Sequence, residues 1–226
     1  MAQHTFRFGM ALLGAAAAAL APAGCEPPPP PAVSTAPTAP VAPPAAGSVA
    51  QQLAALPIAP EDTGAHYDRA EWPHWTETGQ GCDMRDEVLR SSGQGVTVGA
   101  DCALSGQWTS VYDGKVVTDP GDLDIDHIVP LAEVARSGPV VNGRRVRPGE
   151  WTEDQRRAYA NDPEVLVAVT ANSNRSKGDD DPARWMPSND PCGYLTRWVA
   201  VKTKYGLSVD QTEHDAIAGA LTTCPA

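Results

Sequence analysis

Positive charge is scarce in this chain. Its 226 residues carry 28 acidic and 17 basic side chains, a formal net charge of −11. That balance does not advertise a nucleic-acid partner, which normally meets a basic face. No C-x-x-C spacing occurs among the five cysteines, which argues against a zinc site built on thiolates. There is no glycine-rich phosphate loop and no internal repeat, so nucleotide-cradling loops and solenoid arrays are excluded. Phenylalanine occurs only twice. Most of the six tryptophans (Trp72, Trp75, Trp108, Trp151, Trp185 and Trp198) are therefore expected in the core rather than stacked on bases.

The leader is also short of apolar length. Arg7 precedes an apolar run from Met10 to Ala21, too short to span a bilayer comfortably and laid out as a signal peptide over residues 1–25. Ala23 and Gly24 before Cys25 resemble a lipoprotein cleavage site, with Cys25 lipidated. Pro22 stands where such sites carry Leu, so simple cleavage and release stays open. Removing 1–25 takes away Arg7 alone and moves the charge from −11 to −12. Residues 26–60 are rich in proline and alanine and lack aromatics, a polyproline-prone spacer without material for a core. "VAQQLAAL" within it could form a turn or two of helix. Residues 61–226 then make one domain of ordinary size. With Cys25 set aside, four cysteines remain in an exported protein. Cys82–Cys102 and Cys192–Cys224 are the favoured bonds of the three possible pairings, because each pair brackets one contiguous piece of chain.

Within the domain, "GCDMRDEVLRSS" carries Met84, Val88 and Leu89 at helical spacing and stops at Gly93. "QWTSVYDGKVVTD" reads as a hairpin about Asp113-Gly114. "DLDIDHIVP" reads as a strand running into a turn, and "LAEVARSG" as a short helix. "PVVNGRRVRPGE" is loop-like, with an Asn142-Gly143 turn. A helix opens at Thr152 with capping-box partner Gln155, and "VLVAVT" (165–170) suits a buried strand. "ANSNRSKGD" begins a helix or a turn. Two closing helices follow, the second capped by Asp210 with Glu213 three residues on. The pattern is a small α+β domain.

Chemistry concentrates in two stretches. Phosphodiester hydrolysis needs a base near neutral pKa, a hard cation on oxygen ligands, and positive groups facing the phosphate. "DIDHIVP" sets an oxygen ligand, Asp126, beside a base, His127. "NSNRSKGD" adds amide oxygens from Asn172 and Asn174 and cations from Arg175 and Lys177. Adjacent strand residues point to opposite faces, yet at an irregular strand end both can border one cleft. One histidine with Asp and Asn suits magnesium better than zinc.

"DIDHIVPLAE" followed by "LVAVTANSNRSKGD" resembles the HNH, or His-Me finger, nuclease signature. The chain is most similar to secreted or lipoprotein DUF1524-type members, related to the C-terminal domain of GmrSD restriction endonucleases. "RRAYAND", "NRSKGDDDPARWMP" and "CGYLTRWVAVKTKYGLSVD" extend the similarity across most of residues 80–224. The resemblance implies a ββα-metal fold and a metal-dependent endonuclease that uses Mg²⁺ or Mn²⁺ and leaves 5′-phosphate and 3′-hydroxyl ends. It implies Asp126 and Asn174 as metal ligands, His127 as general base, and Lys177 near phosphate. The middle Asn of the HNH pattern is replaced by Val165, so a backbone carbonyl or Glu133 would have to orient His127.

Blander roles compete. Asn172 could be a cap, Arg175 and Lys177 a solvated basic turn, and "GDDDP" a capping acidic turn rather than a calcium site. His66 and His74 fit surface packing. To offset the acidic charge, Arg136, Arg144, Arg145, Arg147, Arg156 and Arg157 are expected to form a basic rim by the cleft. The expected protein is an exported, lipid-anchored or released monomer that cuts nucleic acid, DNA before RNA; whether an immunity partner exists is open. The alternative is a non-catalytic module of the same fold that binds an envelope ligand or protein.

Overall fold

The computed structural model describes residues 48–142, 144–146 and 150–224. The leader, Cys25 and residues 26–47 lie outside the described residues, as do Gly143, Arg147 and the side chain of Arg145. Among the described residues no helix is long and apolar enough to cross a membrane.

Helix α1 (Val49–Ala55) starts with a Ser48–Gln51 capping box, each side chain satisfying the other's backbone N–H. It buries Leu53 in the main core, and Ile58 bridges to Val209. Residues 48–60 therefore belong to the packed domain rather than to the spacer expected there: two buried leucines supply the apolar surface that the proline-rich stretch lacks. Strands β1 (Glu77–Gly79) and β2 (Cys82–Asp83) form a small antiparallel pair before α2 (Met84–Ser92). Helix α2 is capped by Asp83 and buries Val88 and Leu89. It ends at Gly93 because Trp108 fills the next position, donating Nε1–H to the Leu89 carbonyl at 2.7 Å. A Cβ on Gly93 would lie 2.5 Å from that nitrogen.

Strands β3 (Gln94–Val98), β4 (Leu104–Thr109) and β5 (Val116–Val117) form a meander in that order. The expected hairpin is β4–β5, turned through Gly114 at φ +70°. Strand β3 carries no clear alternating pattern. It pairs with β4 across an irregular register.

Strand β6 (Leu123–His127) leads into α3 (Leu131–Ser137). A minor hairpin, β7 (Val140–Val141) with β8 (Arg144–Arg145), stands where a loop was expected, turning at Asn142. Next come α4 (Glu153–Ala160), β9 (Leu166–Thr170) and α5 (Ala171–Lys177). Strands β6 and β9 pair antiparallel, with Asp126 opposite Val167 and His127 opposite Leu166. The pair is a wall with two apolar faces. Val167 and Val169 join the main core, whereas Leu123, Ile125, Leu166 and Ala168 pack with Leu89 and Trp108. Period-two alternation with both faces covered explains the unbroken apolar run of β9.

The main core is closed by α6 (Pro191–Tyr205) and α7 (Gln211–Leu221), joined by the Cys192–Cys224 disulfide; a second disulfide links Cys82 and Cys102. Asp210 caps α7 as expected, accepting from the N–H groups of Thr212 and Glu213. The Glu213 side chain does not reach back to the cap. It is buried, accepting from Trp198 Nε1 at 2.6 Å and Lys202 Nζ at 2.8 Å. Lys202 also reaches Glu133 at 2.7 Å, so a fully buried ammonium is shared by two buried carboxylates. One ammonium cannot hold both as anions at full strength. Burial and the Glu133 charge push Glu213 up to about 7. Short helices around small antiparallel sheets make this an α+β fold.

Candidate active site

The wall and the helix behind it position the chemistry. Helix α5 leaves β9 directly, with Thr170 as its cap, and turns Asn174 and Lys177 toward β6. Residues three apart share a helix face, and Asp124 and Asp126, two apart, share a strand face. The pairs meet: Asn174 Nδ2 donates to Asp124 Oδ2 at 3.0 Å, and Lys177 Nζ donates to Asp126 Oδ2 at 2.7 Å.

Lys177 is not at a phosphate. It is 1 % exposed, and its ammonium also donates to the His127 carbonyl at 3.0 Å. The expected phosphate contact is corrected to an internal ion pair that neutralises Asp126 and ties β6 to α5. Tyr112 OH donates to the same Asp126 oxygen at 2.6 Å. Burial, then the Asp126 charge, hold its hydroxyl well above the usual tyrosine range, so it stays a donor. Asp126 Oδ1 makes no hydrogen bond among the described residues. Because a carboxylate only accepts, the Asn174 amide must turn its NH₂ to Asp124, leaving its Oδ1 uncommitted.

His127 lies 4 % exposed between Trp75 and Tyr159, with centroids at 6.5 and 6.2 Å and rings close to parallel. Its Nε2 lies 3.0 Å from the Ala160 carbonyl, the last residue of α4. A carbonyl cannot donate, so Nε2 carries the proton and Nδ1 the lone pair. Burial pushes the imidazole down to about 4; Asp126 opposes this shift, and the Arg69 and Lys177 charges add to it. His127 is neutral at pH 7. Val165 is buried in the main core, and the group that orients the His127 ring is the Ala160 carbonyl. Glu133 is occupied by Lys202 and Arg136 instead.

A cleft of about 530 Å³ opens at this strand end, lined by His127, Asp126, Asn174, Arg175, Arg69 and Tyr67 among others. Asp126 and His127 do border one cleft across the strand. Asn172 does not join them; it lines a separate hollow with Asp113 and Lys115. The expected basic rim is corrected too. Arg136 is bound to Asp179 and Glu133, Arg144 to Glu150, Arg157 to Glu153, and Arg156 donates to backbone carbonyls of Glu71 and Trp151. Acidic neighbours and open carbonyls within the domain claim these side chains before any ligand can. "GDDDP" is an acidic turn in which Asp181 Oδ1 accepts from Ala183 N–H at 2.6 Å. His66 pairs with Glu71 at the surface, and His74 donates to the Trp72 carbonyl. Trp72, Trp108 and Trp198 are fully buried, as a chain poor in phenylalanine requires.

Sequence reasoning does not single out Ala160, Asp124, Tyr112, Arg69 or Tyr67. Ala160 acts through its backbone, and the others lie outside the two motifs or beside them without a distinguishing pattern. Of these, Asp124 alone left a signal: it alternates with Asp126 on one strand face.

The chain matches the family described as GmrSD restriction endonucleases, C-terminal domain, over residues 87–220. It is also similar to a protein of Arthroderma benhamiae described as an uncharacterized secreted protein. The two are 38% identical over 187 residues, 80% of this chain and 87% of the relative. No solved structure matches it. With a family match over more than half of its length, the chain belongs to the GmrSD restriction endonuclease C-terminal domain family.

Proposed function

We propose that this chain is an exported, metal-dependent HNH endonuclease whose β6–β9–α5 unit is a ββα-metal core acting on nucleic acid, DNA before RNA. The family points to a nuclease-related role. The secreted relative and the two disulfides are consistent with export; lipid anchoring at Cys25 and a monomeric state are part of the proposal. The observation that carries it is the convergence on one cleft of His127 and Asp126 from β6 with Asn174 and Arg175 from α5.

In this reading His127 Nδ1 takes a proton from the attacking water while Ala160 fixes the ring through Nε2. Such general-base assistance is worth about 10²–10⁴-fold. A basicity near 4 keeps the imidazole neutral, with Nδ1 unprotonated, at neutral pH while limiting its pull on water. Arg175, exposed on the cleft wall, meets the phosphate.

The donors fit a hard divalent cation. Among the described residues, Asp126 Oδ1 and Asn174 Oδ1 are oxygens without protein partners, on a cleft open to water and substrate. Mg²⁺ or Mn²⁺ held there would supply charge stabilisation at the scissile phosphate. Tyr112 and Lys177 keep Asp126 in place and absorb part of its charge.

That same ion pair favours a second reading, a non-catalytic module, because a carboxylate already neutralised by Lys177 attracts a cation less. Incubating the full chain with plasmid DNA and then RNA, with and without Mg²⁺ or Mn²⁺, separates the two. Metal-dependent cutting that leaves 5′-phosphate ends supports the enzyme. A folded, disulfide-bonded sample that cuts neither substrate supports the module.

A further inference from the structure

The cleft receives a second cation from a segment that precedes the family-matched region. Arg69 lies on a single 3₁₀ turn, Arg69–Glu71, well before residue 87 where the match begins. It is exposed, it lines the same cleft as His127 and Arg175, and its charge is felt at the imidazole.

In this acidic domain unclaimed positive charge is rare. Among the described residues Arg85 and Arg197 donate to backbone carbonyls, and Arg90 and Arg184 pair with Glu87 and Asp180. Each described lysine meets a carboxylate. With Arg136, Arg144, Arg156 and Arg157 also engaged, Arg69 and Arg175 alone among the lysines and arginines whose side chains are described have no hydrogen-bond or ion-pair partner for the side-chain charge. Both face this cleft. Leaving two guanidiniums unpaired in a chain of net charge −11 costs attraction that nearby acids could have supplied.

The turn is also held rigidly. Asp68 caps it by accepting from Ala70 N–H at 2.9 Å. Arg156 Nε donates to the Glu71 carbonyl at 2.7 Å, and Trp72 packs against Trp151 and Tyr159. Asn161 then clasps the following residues, donating to the Pro73 carbonyl and accepting from Thr76 N–H, each at 2.8 Å. These anchors lie in and around α4, the helix whose last carbonyl orients His127. One element therefore fixes both the imidazole and the Arg69 turn.

We infer that Arg69 is a substrate-binding residue, and that with Arg175 it holds the phosphodiester backbone from two separate chain segments at the His127 cleft. The inference rests on the nuclease reading and adds a phosphate contact that the motifs do not contain. Two point contacts on the backbone would let a net-acidic domain bind a polyanion without a broad basic face.

The test uses the full chain, a labelled DNA oligonucleotide in EDTA followed by anisotropy across a salt series, and cleavage rates with Mg²⁺. Arg69→Ala is expected to weaken binding about tenfold, as loss of a charge-assisted hydrogen bond would. It should also flatten the salt slope by roughly 0.7–0.9, one phosphate's worth of released counterions. Arg69→Lys should restore the slope, and Arg90→Ala, a charge removed from outside the cleft, should change neither quantity. If wild type cuts DNA and Arg69→Ala matches Arg90→Ala in affinity and slope, this inference falls while the nuclease reading stands. If wild type neither binds nor cuts nucleic acid, both fall.

Discussion

Replacing Lys177 by methionine separates a structural ammonium from a phosphate ligand. The ammonium is buried and donates to Asp126 Oδ2 at 2.7 Å and to the His127 carbonyl at 3.0 Å. Methionine fills much of the volume but leaves Asp126, itself 8 % exposed, as a buried carboxylate without its cation. Removing one partner of a buried pair costs about 3–5 kcal/mol. In a domain of this size that lowers the melting midpoint by about 6–20 °C. The Tyr112 hydroxyl still donates to Asp126, which places the expected loss toward the lower end. Urea unfolding of the full chain at pH 7 reads the loss directly. Adding Asp126→Asn removes the stranded charge and should recover about 1–3 kcal/mol, the coupling expected of contacting residues. A Lys177→Met protein as stable as wild type, yet weakened in nucleic-acid binding, would refute the internal ion pair and return Lys177 to the phosphate.

Two titrations with opposite signs follow. Burial, with the neighbouring Glu133 charge, pushes Glu61 up to about 7 from 4.5. The folded state therefore binds more protons than the unfolded one across that window, and stability declines as pH rises from about 4.5 to 7. Glu61→Gln should flatten this decline and stabilise the protein above pH 7 by about 1 kcal/mol, a figure reduced for the partly exposed side chain and its ion pair with Arg136; an unchanged pH profile would contradict it. His127, held down at about 4 from 6.5, works the other way. Its folded state binds fewer protons, so its share of stability is complete above pH 6.5 and is lost as pH falls toward 4, up to about 3 kcal/mol. Denaturation in EDTA of wild type and His127→Gln should show that acid limb only in wild type.

How much of this is legible in the sequence depends on where each interaction is encoded. The two strands and helix of the candidate site are legible because β6 alternates, β9 is a β-branched run, and Asn174 and Lys177 follow at one-turn spacing. The direction of Lys177 is not, since a lysine in a polar run reads as solvated until the register of β6 places Asp126 behind it. The orienting partner of His127 is invisible because it is a carbonyl, carried by an alanine at the end of α4. Arg69 sits among tryptophans and prolines with no periodicity to mark it, and only tertiary packing brings that turn to the cleft. The arginines of the insertion mislead for a related reason: their acidic partners are Glu150, Glu153, Asp179 and Glu133, and only some of these are neighbours in sequence. The short helix α1 is legible in "VAQQLAAL", but its packing is not: an alanine-rich run beside a proline-rich one looks like spacer, although Leu53 and Leu56 each find a place in the core.

The most direct test of the account is cleavage of supercoiled plasmid by wild type and His127→Ala at pH 7 with Mg²⁺, beside a Mg²⁺-free control. The account predicts metal-dependent nicking by wild type and a loss of about a hundredfold or more in His127→Ala, the contribution of one general base. The variant should remain folded, because the neutral imidazole leaves no charge behind. Equal cleavage by the two proteins, or cleavage indifferent to metal, would contradict His127 as the base and the cleft as the site of chemistry.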